Sequence, residues 1–214
     1  MDNRQHLESI ELEISTKCPI KCPACPRTYQ PKNAGWNTGF MDLDVLKSLV
    51  NDTLYRNYIF CGAYGDAIYH PKIVEIIDFM LKTNKRFMIE TNGSYIKPAT
   101  WQSIAQLDWM PFHRRRAKFV FSIDGLEDTN HIYRKNSDWP SIMAGIKTLA
   151  GMKYKPDMEW KYLVFPYNEH QVEQARALSV ELGFNTFNAV KSLREYDKDW
   201  FSNQEERSQI DWKY

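Results

Sequence analysis

Three of the chain's four cysteines stand together as Cys18, Cys22 and Cys25, a C-x3-C-x2-C spacing within one short segment. Thiolates are soft ligands, and three on one loop can converge on a single inorganic centre. Pro19, Pro23 and Pro26 each follow a cysteine. Each proline fixes its own φ and removes a backbone donor, so the loop is stiff and cannot become helix. Three is also the informative count. A structural zinc site takes four protein ligands, whereas a centre left one ligand short keeps a position open for chemistry. With Cys61 as a fourth ligand, the same loop reads as a closed zinc or simple iron–sulfur site, in a non-catalytic metal-binding or electron-transfer protein. On its own Cys61 reads as a small buried hydrophobe, and it is left outside the centre.

The elements that must position this loop alternate. Glu11 to Ser15 precede it with a strand-like pattern, and further strands are expected at 57–60, 86–90, 118–123, 158–165 and 184–190. Helical spacing of apolar residues falls between them, at 42–50, 71–81, 98–107, 139–152 and 169–182. Six strands alternating with five helices form a βαβ series, hence a parallel sheet with helices outside. A full eight-unit barrel needs about 250 residues, more than this chain has. The expected fold is therefore α/β, a partial (β/α)6 TIM-like barrel of parallel strands over residues 1–195. Residues 196–214 are expected as a tail packed on the barrel or partly disordered.

In parallel β/α folds, functional loops leave the carboxyl ends of the strands. The polar and glycine-bearing segments gather there: the cysteines after strand one, Gly62 to Asp66 after strand two, and Thr91-Asn92-Gly93 after strand three. Ser122 to Gly125 follow strand four, Asn168 strand five and Lys191 strand six. An isolated zinc loop requires no such convergence. The bland alternatives are a plain turn for Gly62 to Gly65, an Asn-Gly turn at Asn92, and a solvated helix arginine for Arg134.

The run Cys18-Pro19-Ile20-Lys21-Cys22-Pro23-Ala24-Cys25 resembles the signature of the radical S-adenosylmethionine (SAM) superfamily. The stretch Cys22 to Arg27 is most similar to its branch of SPASM-containing and peptide-modifying members. The resemblance implies that Cys18, Cys22 and Cys25 hold three irons of a [4Fe-4S] cluster and that SAM chelates the fourth. It also implies an activity: the reduced cluster cleaves SAM, and the resulting 5′-deoxyadenosyl radical removes a hydrogen atom from a substrate. Many relatives carry an aromatic residue before the third cysteine, where Ala24 stands here.

Gly62-Ala63-Tyr64-Gly65-Asp66-Ala67 resembles the family's Gly-Gly-Glu-Pro motif, which implies contact with the SAM amino group through backbone carbonyls and the acid. Asp66 replaces the usual Glu, and Ala67 the usual Pro. Thr91 and Asn92 resemble the strand-three ending near the SAM ribose and methionine. Ser122-Ile123-Asp124-Gly125 is similar to a Ser-x-Asp-Gly in which the Ser touches SAM and the Asp faces substrate. Arg134, ten residues beyond Asp124, looks like the arginine that pairs with the SAM carboxylate. Phe187 and Asn188 fall where relatives stack adenine. Tyr162, Phe165, Asn168 and His170 read as core or helix cap, with binding near adenine or substrate as the alternative. The implied partners are an external one-electron donor, a flavodoxin or ferredoxin, and a peptide or small-molecule substrate.

Composition narrows the class further. The net charge of +1 provides no broad field for nucleic acid or an anionic membrane. His113 to Arg116 is the basic run, and it precedes strand four, at the barrel end away from the cysteines. No apolar run approaches the length of a membrane span, and the charged N-terminus does not read as a secretory signal. Clustered cysteines of this kind suit a reducing cytoplasm rather than a disulfide framework. The tail from Lys191 carries no cysteine, so the auxiliary clusters of SPASM proteins are not expected.

Overall fold

The computed structural model describes residues 9–29, 38–52, 55–62 and 64–191. Strands β1 (Ser9–Leu12), β2 (Asn57–Phe60), β3 (Arg86–Thr91), β4 (Ala117–Ser122), β5 (Asp157–Val164) and β6 (Thr186–Lys191) form one sheet in chain order. Every neighbouring pair is parallel. The sheet is open, with β1 and β6 as its edges, which makes it a partial (β/α)6 barrel of the TIM type. The helices are α1 (Pro26–Tyr29), α2 (Leu43–Asp52), α3 (Ile73–Lys82), α4 (Pro98–Ala105), α5 (Asn130–Tyr133), α6 (Trp139–Ala150) and α7 (Val172–Glu181). The expected tail at 196–214 lies outside the described residues.

Side-chain alternation explains which face of the sheet is dry. Phe60, Ile89, Phe119, Phe121, Trp160 and Tyr162 point to one side and are fully buried. They share a core with Leu46 and Val50 of α2, Ile76 and Ile77 of α3, Trp101 of α4, and Ile142 and Ile146 of α6. The other face carries Glu90, Lys118, Glu159 and Lys161. Lys118 pairs with Glu159 at 2.5 Å and with Asp157 at 3.8 Å, and Lys161 pairs with Glu90 at 3.5 Å. The inside of the half-barrel is therefore polar, and the hydrophobic core lies between sheet and helices.

Several ends differ from the sequence pattern for local reasons. The strand expected at 11–15 stops pairing with β2 at Leu12, and Ser15 instead forms an isolated antiparallel bridge with Phe40. Gly183, at φ 80°, lets Phe184 donate back to the Ser179 carbonyl, so β6 begins only at Thr186. The helix expected from 169 opens as a 3-10 turn, Glu169–Gln171, because the Asn168 side chain is spent on its own loop. The basic run falls in a second 3-10 turn, Pro111–Arg115. There Arg114 and Arg115 join Arg86, Ala117 and Asp157 around a cavity of about 250 Å³ at the amino ends of the strands.

Ile89 is central in this core, on β3, with no exposed surface. Ile89→Ala removes its buried methylene groups and leaves a cavity, so stability falls by about 2–5 kcal/mol. Urea denaturation of the metal-free chain measures this as a lower midpoint at an unchanged slope.

Candidate functional site at the carboxyl ends of the strands

A cavity of about 330 Å³ opens where the strands end. Cys18, Cys22 and Cys25 line it together, so the three thiols expected to act as one centre do share one space. Their loop is held from several sides. Cys25 N–H donates to the Cys22 carbonyl at 3.1 Å, and Thr28 N–H to that of Cys25 at 2.8 Å. Lys21 N–H reaches the Lys135 carbonyl at 2.8 Å, and the Asn136 amide reaches that of Pro19 at 3.0 Å. A guanidinium N–H of Arg27 donates to the Ile20 carbonyl.

Beneath the loop is an apolar pad of Ile20, Ala24, Tyr133 and Phe165, with Leu163 and Tyr167 packed against it. The Tyr133 and Phe165 rings lie 4.6 Å apart between centroids. Burial pushes the Cys18 thiol up to about 12 and raises that of Cys22 as well. Metal ligation needs thiolates, so loading this centre must release protons.

The polar residues arrive from the other strands. Gly62 and Gly65 sit at the end of β2 because nothing larger fits: a Cβ on Gly65 would lie 1.9 Å from the Ser15 carbonyl oxygen, and one on Gly62 2.0 Å from that of Gly65. Asp66 is buried, and its carboxylate accepts from Thr91 Oγ1 at 3.0 Å, Asn92 N–H at 2.7 Å, the Asn92 side-chain amide, and Ile68 N–H at 3.1 Å. It thereby ties the end of β2 to the end of β3, and burial pushes its carboxyl up to about 6. The Asn92 amide also donates to Cys18 Sγ at 3.4 Å.

Asp124 organises the far side. One carboxylate oxygen takes Leu163 N–H at 2.8 Å, and the other takes Arg134 Nε at 2.5 Å. Its own N–H donates to Asn130 Oδ1 at 2.8 Å, and its carbonyl accepts from the Asn168 amide at 2.9 Å. Asn168 is a loop strut rather than the expected helix cap, and its Oδ1 accepts from Phe165 N–H at 2.7 Å. Arg134, so anchored, lines the cavity with Cys22, and its charge opposes the burial that raises that thiol.

Of the residues singled out in the sequence, Gly62, Gly65, Asp66, Thr91, Asn92, Ser122 and Arg134 line the same cavity as the cysteines. Tyr64 and Asp124 do not. Tyr64 donates its N–H to Glu13 at 2.9 Å, and Asp124 is buried behind Arg134. Cys61 lies off the cavity wall, where it donates to Glu11 at 3.8 Å. Sequence reasoning missed Arg27, Glu90, Tyr133, Lys161 and Leu163, which also line the wall. A usable signal existed for two of them: Glu90 and Lys161 alternate with the apolar positions of their strands, on the face opposite Ile89 and Trp160.

Known structures share this architecture. The AdoMet-bound structure of anSMEcpe matches with a TM-score of 0.63 at 16% identity, over 87% of this chain and 51% of that one. SuiB of Streptococcus suis, bound to S-adenosylmethionine, matches with a TM-score of 0.62 at 13% identity, over 92% and 48%. TYW1 with a lysine–pyruvate adduct matches with a TM-score of 0.61 at 14% identity, over 87% and 66%. These are likenesses of fold. The chain spans about half the length of the first two. No protein-family model matches the chain, and no curated protein does.

Cys18, Cys22 and Cys25 line one cavity. A cluster takes one thiolate per iron, so three thiols around one space are a donor set that fits such a group. The Asn92 amide donor directed at Cys18 is the kind of outer contact that such sulfurs use.

The Asp124–Arg134 pair permits a direct comparison of buried and exposed charge. Removing one partner of a buried pair strands the other, so Asp124→Ala destabilises the metal-free fold by about 3–5 kcal/mol. Lys82→Ala breaks the exposed Lys82–Asp78 pair of 2.6 Å and costs at most about 1 kcal/mol. Urea unfolding of the two variants side by side checks the contrast.

Proposed function

We propose that this chain is a radical SAM enzyme in which Cys18, Cys22 and Cys25 hold a [4Fe-4S] cluster with one iron left for SAM. The observation that carries the reading is the shared cavity. Three thiols from a single loop face a space whose remaining wall comes from the carboxyl ends of β2, β3, β4, β5 and β6. Its fold is that of solved radical SAM enzymes, two of them structures that hold AdoMet. The rival, a closed zinc or iron site, needs a fourth protein ligand, and Cys61 stands off the wall.

Cys18, Cys22 and Cys25 would hold the cluster, which when bound would supply the one-electron reduction that radical chemistry on SAM requires. The protein's task is to hold and shield. Gly62 and Gly65 bring backbone close enough for their carbonyls to meet the SAM ammonium. Asp66 holds Asn92 in place at the same end, toward the ribose and methionine, and Ser122 lies beside them on β4. Arg134 has its Nε on Asp124, and the remaining fork serves the SAM carboxylate. The apolar pad of Ile20, Tyr133 and Phe165 excludes water from one side of the centre, which a carbon radical requires.

The substrate is polar. Glu90, Lys161 and Lys191 present charge to the cavity from β3, β5 and β6. A peptide side chain is the favoured substrate, since the sheet is open along one side and the fold is shared with SuiB, a structure of which holds the precursor peptide SuiA. The electron comes from a separate flavodoxin or ferredoxin, and the reducing cytoplasm is the compartment that keeps four cysteines free. Among the described residues no helix is long and apolar enough to cross a membrane.

Anaerobic reconstitution with iron and sulfide, followed by SAM and dithionite, is expected to release 5′-deoxyadenosine, detected by chromatography. Cys22→Ala is expected to abolish both the cluster absorbance and that product. A wild-type chain that binds metal yet leaves SAM intact would favour the non-catalytic rival.

A further inference from the structure

We infer that Arg27 tunes the redox potential of the cysteine centre: its Nε–H donates to a cluster sulfur, and its charge favours the reduced state. The inference rests on the cluster reading above. Arg27 stands two residues beyond Cys25 in the first turn of α1 and lines the cavity with all three cysteines. One of its N–H groups is fixed on the Ile20 carbonyl, midway between Cys18 and Cys22. The guanidinium is thus strapped to the loop it serves, not swinging in solvent. Its Nε is buried and meets no acceptor in the protein.

A buried N–H with no acceptor is costly and rare, and Arg27 carries its own on the wall of a cavity, where an acceptor from outside the chain can meet it. Thiolate and sulfide sulfurs are such acceptors, and hydrogen bonds to them are among the features that set cluster potentials. Charge points the same way. Three thiolates with no fourth protein ligand leave the cluster net negative, and the single electron delivered by the flavodoxin or ferredoxin adds one more negative charge. A fixed cation on the ligand loop, lining the same cavity as the three cysteines, stabilises that reduced form. Arg134, by contrast, has its charge matched by Asp124 at 2.5 Å.

The test uses the full chain, anaerobically reconstituted, with iron and sulfide content matched between samples. Midpoint potentials are read by EPR-monitored titration for wild type, Arg27→Gln and Arg27→Lys. Arg27→Gln keeps an amide N–H for the Ile20 carbonyl but removes the charge, so its potential is expected to shift to more negative values. Arg27→Lys keeps the charge and loses the fork, so its shift is expected to be smaller. Equal potentials at full loading would overturn the inference while leaving the cluster assignment intact. A second measurement needs no change at Arg27: pulsed EPR on the reduced wild-type cluster, with isotopically labelled arginine, is expected to show nitrogen coupling that labelled Arg134→Lys protein retains. Loss of all arginine coupling in that protein would overturn the inference even where Arg27→Gln fails to load. Wild-type chain that takes up no iron and sulfide would overturn the centre and the inference together.

Discussion

A carboxylate with no exposed surface must be answered by hydrogen bonds and charge, and the answer given to Asp124 organises half of the site. Its two oxygens take the backbone of β5 at Leu163 and the guanidinium of Arg134. Its backbone is held by Asn130 of α5 and by Asn168 after β5. The β4 and β5 ends, the short helix α5 and the loop after β5 therefore cannot move independently. Arg134 is in turn presented to Cys22 and to the cavity. Asp66 does the equivalent on the other side, joining β2 to β3 and steering Asn92 toward Cys18. Two buried acids, each saturated by neighbours, make the rigid frame in which three sulfurs are set.

The frame also settles where polarity is tolerated. The outer face of the sheet is sealed by helices, while the inner face keeps charged residues in pairs, Lys161 with Glu90 and Lys118 with Glu159. The cysteine loop rests on rings rather than on water. The proposed cluster would use that combination: an apolar seat that governs potential and solvent access, beside a polar chamber open to a substrate.

Much of this was legible in the residues. Strands β2 to β5 and the helices between them follow from periodicity, since burial on one face imposes an alternation that sequence displays directly. The cysteine loop was legible from spacing alone. Long-range pairings were not. Asp66 read as an acid waiting for a ligand, yet its hydrogen bonds go to Thr91 and Asn92, about one β/α unit away in the chain. Arg134 read as a ligand arginine without its Asp124 anchor, and Asn168 as a cap although its amide braces Asp124 and Leu163. Such contacts depend on register between distant strands, which no local pattern carries. Glu90 and Lys161 were overlooked for a different reason: a charge on a strand does not itself say whether its face meets bulk solvent or lines a chamber.

The central claim is that one iron of the cysteine-bound centre has no protein ligand. Mössbauer spectroscopy of the reconstituted chain, with and without SAM, tests it most directly. The account predicts a [4Fe-4S] cluster in which one iron changes its isomer shift when SAM is added while the other three stay as they were. A spectrum indifferent to SAM, or iron held singly by four sulfur ligands, would contradict it.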